Sequence, residues 1–174
     1  MQVLTTVTLV YVMREDRVLA AINPGRPDAW SCWLTRRVVL ALLERLAGLL
    51  ATTSVLAQRV PAESRGEVVA FEHDAAMAKT AQRMITTPVE ALNASATAAE
   101  LVEQVSIANQ GENFRLELRG ASGGGAAGVL ARAGLQRVLQ MMQDEVAKAG
   151  WLVMPAKPQP APAAEEPGSK PIRH

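Results

Sequence analysis

Residues 113–119 read NFRLELR, and this segment is the clearest indication of fold class in this sequence. Apolar and charged side chains alternate along it, which is the pattern of a β-strand with one buried and one solvated face. Residues 109–113, which lead into it, read NQGEN and are a strong turn signal. Residues 100–108 form another strand-like run before the turn. Together these stretches predict an antiparallel hairpin.

A helix and a tail follow this hairpin. Residues 120–125 are a glycine-rich loop, and an amphipathic helix is predicted over about residues 130–149, with Gly150 well placed to end it. From residue 155 to residue 174 the chain is rich in Pro, Ala and charge. Such a tail cannot bury enough apolar surface to order itself, so we expect it to be disordered.

The first half of the chain has the same arrangement. Residues 2–12 and 17–22 are rich in Val, Leu and other strand-forming residues, and residues 29–33 can add a short third strand. The period becomes helical from Leu34, for which Thr35 is the expected N-cap.

The two halves align without a gap when the sequence is displaced by 96 residues. The strand positions Val18, Ala20 and Ile22 then fall on Phe114, Leu116 and Leu118, and the helix position Arg36 falls on Arg132. Keeping a strand period and a helix period in phase across one offset favours a duplicated module. A module of about 45 residues has a marginal core, so we expect the two copies to pair around a pseudo-twofold axis.

The expected fold is therefore α+β, with two repeated β-β-β-α modules and a largely antiparallel sheet. The first module covers residues 1–60 and the second covers residues 99–154. Residues 61–98 link them and contain a middle helix over about residues 63–84, although residues 88–98 have no clear pattern. The disordered tail, 155–174, completes the chain.

Composition sets limits on the environment and on the partners. The 174 residues include 18 basic and 17 acidic ones, so the net charge of +1 gives no bulk argument for nucleic acid or an anionic membrane. The single cysteine, Cys32, allows no intramolecular disulfide, which fits a reducing compartment, and we expect a cytoplasmic protein. The most apolar helix candidate, residues 38–57, is interrupted by Glu44 and Arg45, so it predicts a buried helix and not a membrane span.

No pattern of residues predicts catalysis, a cofactor or a metal. Residues 123–128 match G-x-G-x-x-G, but no acidic residue follows in the place that a dinucleotide site needs, so a plain connection is favoured. His73 lies between Glu72 and Asp74, and adjacent side chains on a helix point about 100° apart, so the three do not converge on one ion. Cys32 has no neighbouring base. We therefore expect no enzyme activity.

The strongest candidates for an interface lie where the first sheet meets the first helix. Trp30 and Cys32 are expected on the core side of the third strand, and Trp33 on the other side. Arg36 and Arg37 begin the helix, where basic residues oppose the helix dipole unless a negative partner faces them. The candidate interface is therefore Trp30, Trp33, Arg36 and Arg37.

The leading functional interpretation is a non-enzymatic interaction or structural protein. It would be a small accessory subunit of a bacterial protein assembly or a homo-oligomer, because the chain is strongly apolar and lacks catalytic groups. The alternative is a single-stranded nucleic-acid-binding protein that uses a basic surface of Arg36, Arg115, Arg119 and Arg132. Duplicated sheet-plus-helix modules are similar in topology to Whirly-type proteins, a likeness of fold alone. A third possibility is a small-molecule sensor or enzyme with a site between the modules.

Overall fold

The computed structural model describes residues 1–80 and 86–151. The predicted tail, 155–174, lies outside these residues. In chain order the elements are β1 (Gln2–Val3), β2 (Val7–Val12), β3 (Arg17–Ile22), β4 (Trp30–Thr35), α1 (Arg36–Thr52), α2 (Val55–Gln58), a 3₁₀ turn (Ala62–Ser64), α3 (Arg65–Thr80), α4 (Val89–Ala98), β5 (Glu100–Gln110), β6 (Asn113–Gly120), β7 (Gly125–Ala131) and α5 (Arg132–Ala149).

The strands form one mixed sheet in the order β1-β7-β6-β5-β4-β3-β2. Strands β2, β3 and β4 pair antiparallel, as do β5, β6 and β7. The prediction of an α+β fold is confirmed, but the expected antiparallel character holds only in part. Within the described residues, β4 pairs parallel with β5, and β1 pairs parallel with β7. These parallel ladders join the two groups of three strands, because each group would otherwise leave an edge unpaired.

The N-terminal stretch closes this sheet on itself. The Leu4 amide donates to the Ala127 carbonyl at 2.8 Å, and the Thr6 carbonyl accepts from the Asn23 amide at 3.0 Å. Residues 2–12 therefore contact β7 first and β3 afterwards, so both ends of the strand order belong to one piece of chain. The predicted continuous strand over 2–12 is wrong at residues 4–6, where the chain changes partners.

The buried side chain of Asn23 holds this change of partners in place. Its Oδ1 accepts from the amides of Thr5 and Thr6, both at 3.0 Å. Its Nδ2 donates to the Val3 carbonyl at 2.7 Å and to the Asp28 carboxylate at 2.8 Å. Asn23 is fully buried and has φ of +48°, a left-handed conformation that Asn tolerates better than most residues. The residue thus satisfies the backbone groups that the broken strand leaves unpaired.

Helices α1 and α5 supply the inner layer of the core. Thr35 caps α1 as predicted, accepting from the Val38 amide at 3.4 Å. The two helices run antiparallel, because the Arg36 guanidinium reaches the Trp151 carbonyl after α5 while that of Arg132 reaches the Leu50 carbonyl of α1. Each arginine therefore begins one helix and neutralises the negative end of the other, which explains basic residues at both helix starts. The buried apolar positions of the two helices are Val39, Leu42, Leu46, Leu50, Leu135, Val138, Leu139, Met142 and Val146.

The middle segment contributes two helices and not one. Helix α3 packs on α1 and α5, and it begins at Arg65 after a separate 3₁₀ turn. Residues 89–98, which carry no clear sequence pattern, form α4, which packs on β3 and β4. The Ser31 hydroxyl on β4 donates to the Ser95 carbonyl of α4 at 2.7 Å. No helix in residues 1–80 and 86–151 is long and apolar enough to cross a membrane.

Candidate interaction surface

Among the described residues no helix covers the outer face of β5, β6 and β7, whereas α4 covers the matching face of β3 and β4. The difference follows from the residues at positions related by the displacement of 96. Leu19 on the covered face is 2% exposed, and Arg115 stands at its equivalent position on the bare face. Partly buried Trp33 corresponds to Val129, which is 54% exposed. The first face is apolar enough to require a covering helix, and the second is not.

Among the described residues, strand β5 has an edge without a partner strand along most of its length. It pairs with β4 only at Glu100 and Leu101, although its ladder with β6 continues to Gln110. Gln110 and Asn113 face each other across a two-residue turn. The N–H and C=O groups of successive residues point to opposite sides of an antiparallel strand, so this pair fixes which residues bond to β6 and which point away from it. The backbone groups of Val105, Ile107 and Asn109 point away from β6, and we call them the β5 open edge.

The equivalent edge of β2 is sealed by a side chain. The Tyr11 amide donates to the Glu145 carboxylate of α5 at 2.7 Å, and the Trp151 ring packs edge-on against the Tyr11 ring at 5.5 Å. Glu145 is buried and is paired with Lys148. At the positions displaced by 96, Ile107 replaces Tyr11 and Leu49 replaces Glu145. Leucine has no acceptor to offer, and in the described part of the chain the Ile107 amide has none.

The side chains along the β5 open edge do not discourage pairing with another strand. Residues 104–110 read QVSIANQ and contain no charge, Pro or Gly. The side chains that point to the bare outer face are small or polar and exposed: Gln104, Ser106, Ala108 and Gln110. Natural edge strands are usually protected by lysine, proline or a bulge. Here the only such device in the described strand is the bulge between Val102 and Gln104, which lies before the uncharged stretch.

The four predicted interface residues do not form one surface. Trp30 is partly buried on the inner side of β4, where its Nε1 donates to the Glu100 carboxylate at 2.8 Å. Trp33 lies on the opposite face of the same strand. Arg36 and Arg37 are exposed at the start of α1, and Arg36 is bound to the Trp151 carbonyl at 3.2 Å. Their role as an interface stays a prediction.

The four predicted nucleic-acid contacts are also separated. Arg115 and Arg119 lie together on the bare face, but Glu117 between them accepts ion pairs from both, at 3.6 Å and 2.7 Å. The Arg119 hydrogen bond is the main reason that the pKa of Glu117 is lowered. Arg132 lies between the helices, bound to the Thr53 hydroxyl, the Leu50 carbonyl and a Glu72 carboxylate. Its guanidinium is therefore already occupied by groups of this chain.

The glycine-rich loop binds a carboxylate of its own chain. Glu100 accepts from the Ser122 amide at 2.7 Å and from the Ser122 hydroxyl, in addition to the Trp30 indole. These hydrogen bonds, chiefly those from Ser122, lower the pKa of Glu100. A Cβ atom on Gly120 would lie 2.0 Å from the Glu100 carboxyl carbon, so this glycine is needed for the close approach. The loop therefore fastens β5 to the end of β6, and residues 125–128 of the G-x-G-x-x-G match belong to strand β7.

A small cavity and a larger cleft lie among the described residues. The first, between the two groups of strands, is wholly apolar and has a volume of about 30 Å³, which is room for about one water and not for a substrate. The second is a cleft of about 290 Å³ between α1, α3 and α5, and it includes Gln136 and His73. The His73 Nε2 is 2.8 Å from the Gln140 Oε1. In residues 1–80 and 86–151 no group of three His, Cys, Asp or Glu side chains is placed to hold a metal.

Sequence reasoning missed the β5 open edge. The local signal was present, because residues 104–110 combine strand-forming residues with a lack of charge. The sequence does not show that β5 stops pairing with β4 after Leu101. No protein-family model, no curated protein and no solved structure matches this chain.

Proposed function

We propose that this chain is a non-enzymatic interaction protein that binds an extended protein segment along the β5 open edge. The observation that carries the proposal is the contrast between the two long strands. The Tyr11 amide on β2 is satisfied by Glu145 at 2.7 Å, whereas the matching amide of Ile107 on β5 has no acceptor in the described residues. Such an edge is a template for strand addition, in which main-chain hydrogen bonds supply the affinity.

We also interpret the two halves as copies of one β-β-β-α module, of which the second has kept its edge available. Strand β3 begins at Arg17 and β6 at Asn113, and α1 begins at Arg36 and α5 at Arg132, so the element starts keep the same spacing of 96 residues. The sealing carboxylate and the covering helix α4 both serve the first copy. This difference supports a structural role for the first copy and a binding role for the second, as in an accessory subunit or a homo-oligomer.

A single proline substitution tests the proposal. The Asn109 amide points away from β6, so Asn109→Pro removes no ladder hydrogen bond but blocks an added strand. Asn109→Ala is the matched control, because it removes the side chain and keeps the amide. A displayed library of short random peptides is selected on the immobilised full chain. We expect extended peptides that bind the natural chain and N109A but not N109P; no enrichment, or equal binding to N109P, would contradict the proposal.

The nucleic-acid alternative rests on Arg115 and Arg119, which are exposed on the bare face beside the β5 open edge. The described part of that face offers no aromatic side chain for base stacking, which is the usual companion of such arginines. Fluorescence anisotropy with labelled oligo-dT at low salt separates the two functions. Binding that is lost in R115A/R119A and retained in N109P would favour the alternative.

A further inference from the structure

We infer that the segment bound at the β5 open edge is β5 of a second copy of this chain, paired antiparallel about Ile107. This inference rests on the proposed function and names its partner. Two identical edges related by a twofold axis must meet antiparallel, and the contact closes because each copy presents the same groups. The strands would then extend one sheet across both copies.

Charge is the first argument for a second copy. A strand that pairs with itself brings its own charges face to face, and like charges directly opposite each other are destabilising. Residues 104–110 contain no charged side chain, so self-pairing meets no such repulsion. Strand β6 shows the contrast: Arg115, Glu117 and Arg119 alternate along it, and self-pairing about Glu117 would place each Arg115 opposite an Arg119.

The register follows from the same argument. With the twofold axis at Ile107, this residue faces its own copy, and Val105 faces Asn109 of the second copy. Every residue of the β5 open edge then exchanges both of its outward backbone groups with the other strand. Glu103, the nearest acidic residue, falls opposite Gly111 at the end of the paired stretch. A shift of the axis to Ser106 would bring Glu103 into the ladder, and we therefore place the axis at Ile107.

The outer-face side chains permit this approach. In the Ile107-centred register, Ser106 of one copy lies opposite Ala108 of the other, in a pair whose side chains come close together. Both residues are small and exposed, so they neither collide nor need to leave a core. The bare faces of the two copies would become continuous.

Charge placement at these two positions tests the inference. In S106K/A108K every lysine faces a lysine of the other copy, whereas in S106E/A108K every introduced charge faces its opposite. The matched control is V129K/A131K, which adds the same charge to the same sheet face on β7, two strands away from the edge. Molar mass is measured by light scattering after gel filtration, over about 1 μM to about 1 mM chain. Circular dichroism confirms that each variant is folded.

We expect the natural chain to move from 18.6 kDa towards twice that mass as concentration rises. V129K/A131K should behave like the natural chain, S106E/A108K should dimerise at least as well, and S106K/A108K should dimerise at least about tenfold more weakly. The Ile107 amide should also exchange with solvent more slowly at high concentration. A natural chain that stays at 18.6 kDa throughout overturns the inference.

The two proposals fail separately. If the natural chain stays monomeric while peptides still bind in an N109P-sensitive way, the second copy is the wrong partner and strand addition stands. If neither association occurs, both proposals fall. If S106K/A108K dimerises as well as the control does, the dimer uses another surface and the inference is wrong.

Discussion

Replacing Asn23 should weaken the whole fold, because this one side chain holds the place where the N-terminal stretch passes from β7 to β3. Asn23→Ala removes four hydrogen bonds, from the amides of Thr5 and Thr6 and to the Val3 carbonyl and the Asp28 carboxylate. A buried polar group that loses its partner costs about 1–3 kcal/mol.

The loss must be discounted, because each of the four hydrogen bonds is only partly buried and water can reach some of the groups left behind. We take about 2–3 kcal/mol for the lost hydrogen bonds together. Residue 23 also has φ of +48°, and alanine adds a cost of about 1 kcal/mol in that conformation. Asn23→Ala should therefore lower the free energy of unfolding by about 3–4 kcal/mol, which corresponds to a fall in Tm of about 10 °C.

The assay is equilibrium unfolding in urea followed by circular dichroism. Asn23→Gly separates the two contributions, since glycine accepts positive φ; it should be about 1 kcal/mol more stable than Asn23→Ala. Asn93→Ala, at an exposed position on α4, is the control and should change stability by less than about 0.5 kcal/mol. A loss below about 1 kcal/mol in Asn23→Ala, or no gain in Asn23→Gly, would refute the reasoning. Amide exchange gives a local check, because the Leu4 amide should lose protection before the amides of α1 do.

Three further outcomes follow from the contacts. Arg132→Met should lower the free energy of unfolding by about 2–3 kcal/mol, because it leaves a carboxylate and a helix end without their partner. Arg36→Met, at the exposed equivalent position, should lower it by under about 1 kcal/mol, and urea unfolding of both variants compares them. Burial raises the pKa of Cys32 to about 12 from 9.0, so a thiol reagent should react with the folded chain about 1,000-fold more slowly than with the unfolded chain, and equal rates would contradict the burial. The pKa of Glu100 is lowered from 4.5, so its hydrogen bonds stabilise the fold above pH 4.5, and this stabilisation is lost as the pH falls through the pKa of the folded state. Glu100→Gln should therefore reduce the loss of stability with acid in urea unfolding measured from about pH 6 to about pH 2. An unchanged dependence of stability on pH would argue against this role of Glu100.

The hairpins and the two long helices were predictable, because their signals are local. The alternation at residues 113–119 lies in strand β6 as expected, and Thr35 caps α1. The pairing of strands distant in sequence was not predictable. Strand β7 reads GAAGVLA, a composition that local propensity assigns to a loop. A Cβ atom on Gly128 would lie 2.7 Å from the Leu4 carbonyl oxygen, so tertiary packing demands a residue that strand propensity disfavours.

The candidate site was harder to predict than the fold. Basic residues at the start of the first long helix conflict with the helix dipole, but the partner that resolves this conflict is the end of a distant, antiparallel helix. The β5 open edge begins where the pairing between β4 and β5 ends, so it depends on two strands that are distant in sequence. Only the uncharged run over residues 104–110 was visible in the sequence, and edge and central strands share that pattern.

The closure of the sheet through residues 2–12 bears on when this protein can fold during its synthesis. These residues are synthesised before β7, the strand that receives Leu4. The native ring cannot be completed until that distant strand has been made, and contacts so remote along a chain slow folding. Until then residues 2–4 lack the partner strand that they have in the folded protein, and unpaired strand edges favour aggregation during synthesis.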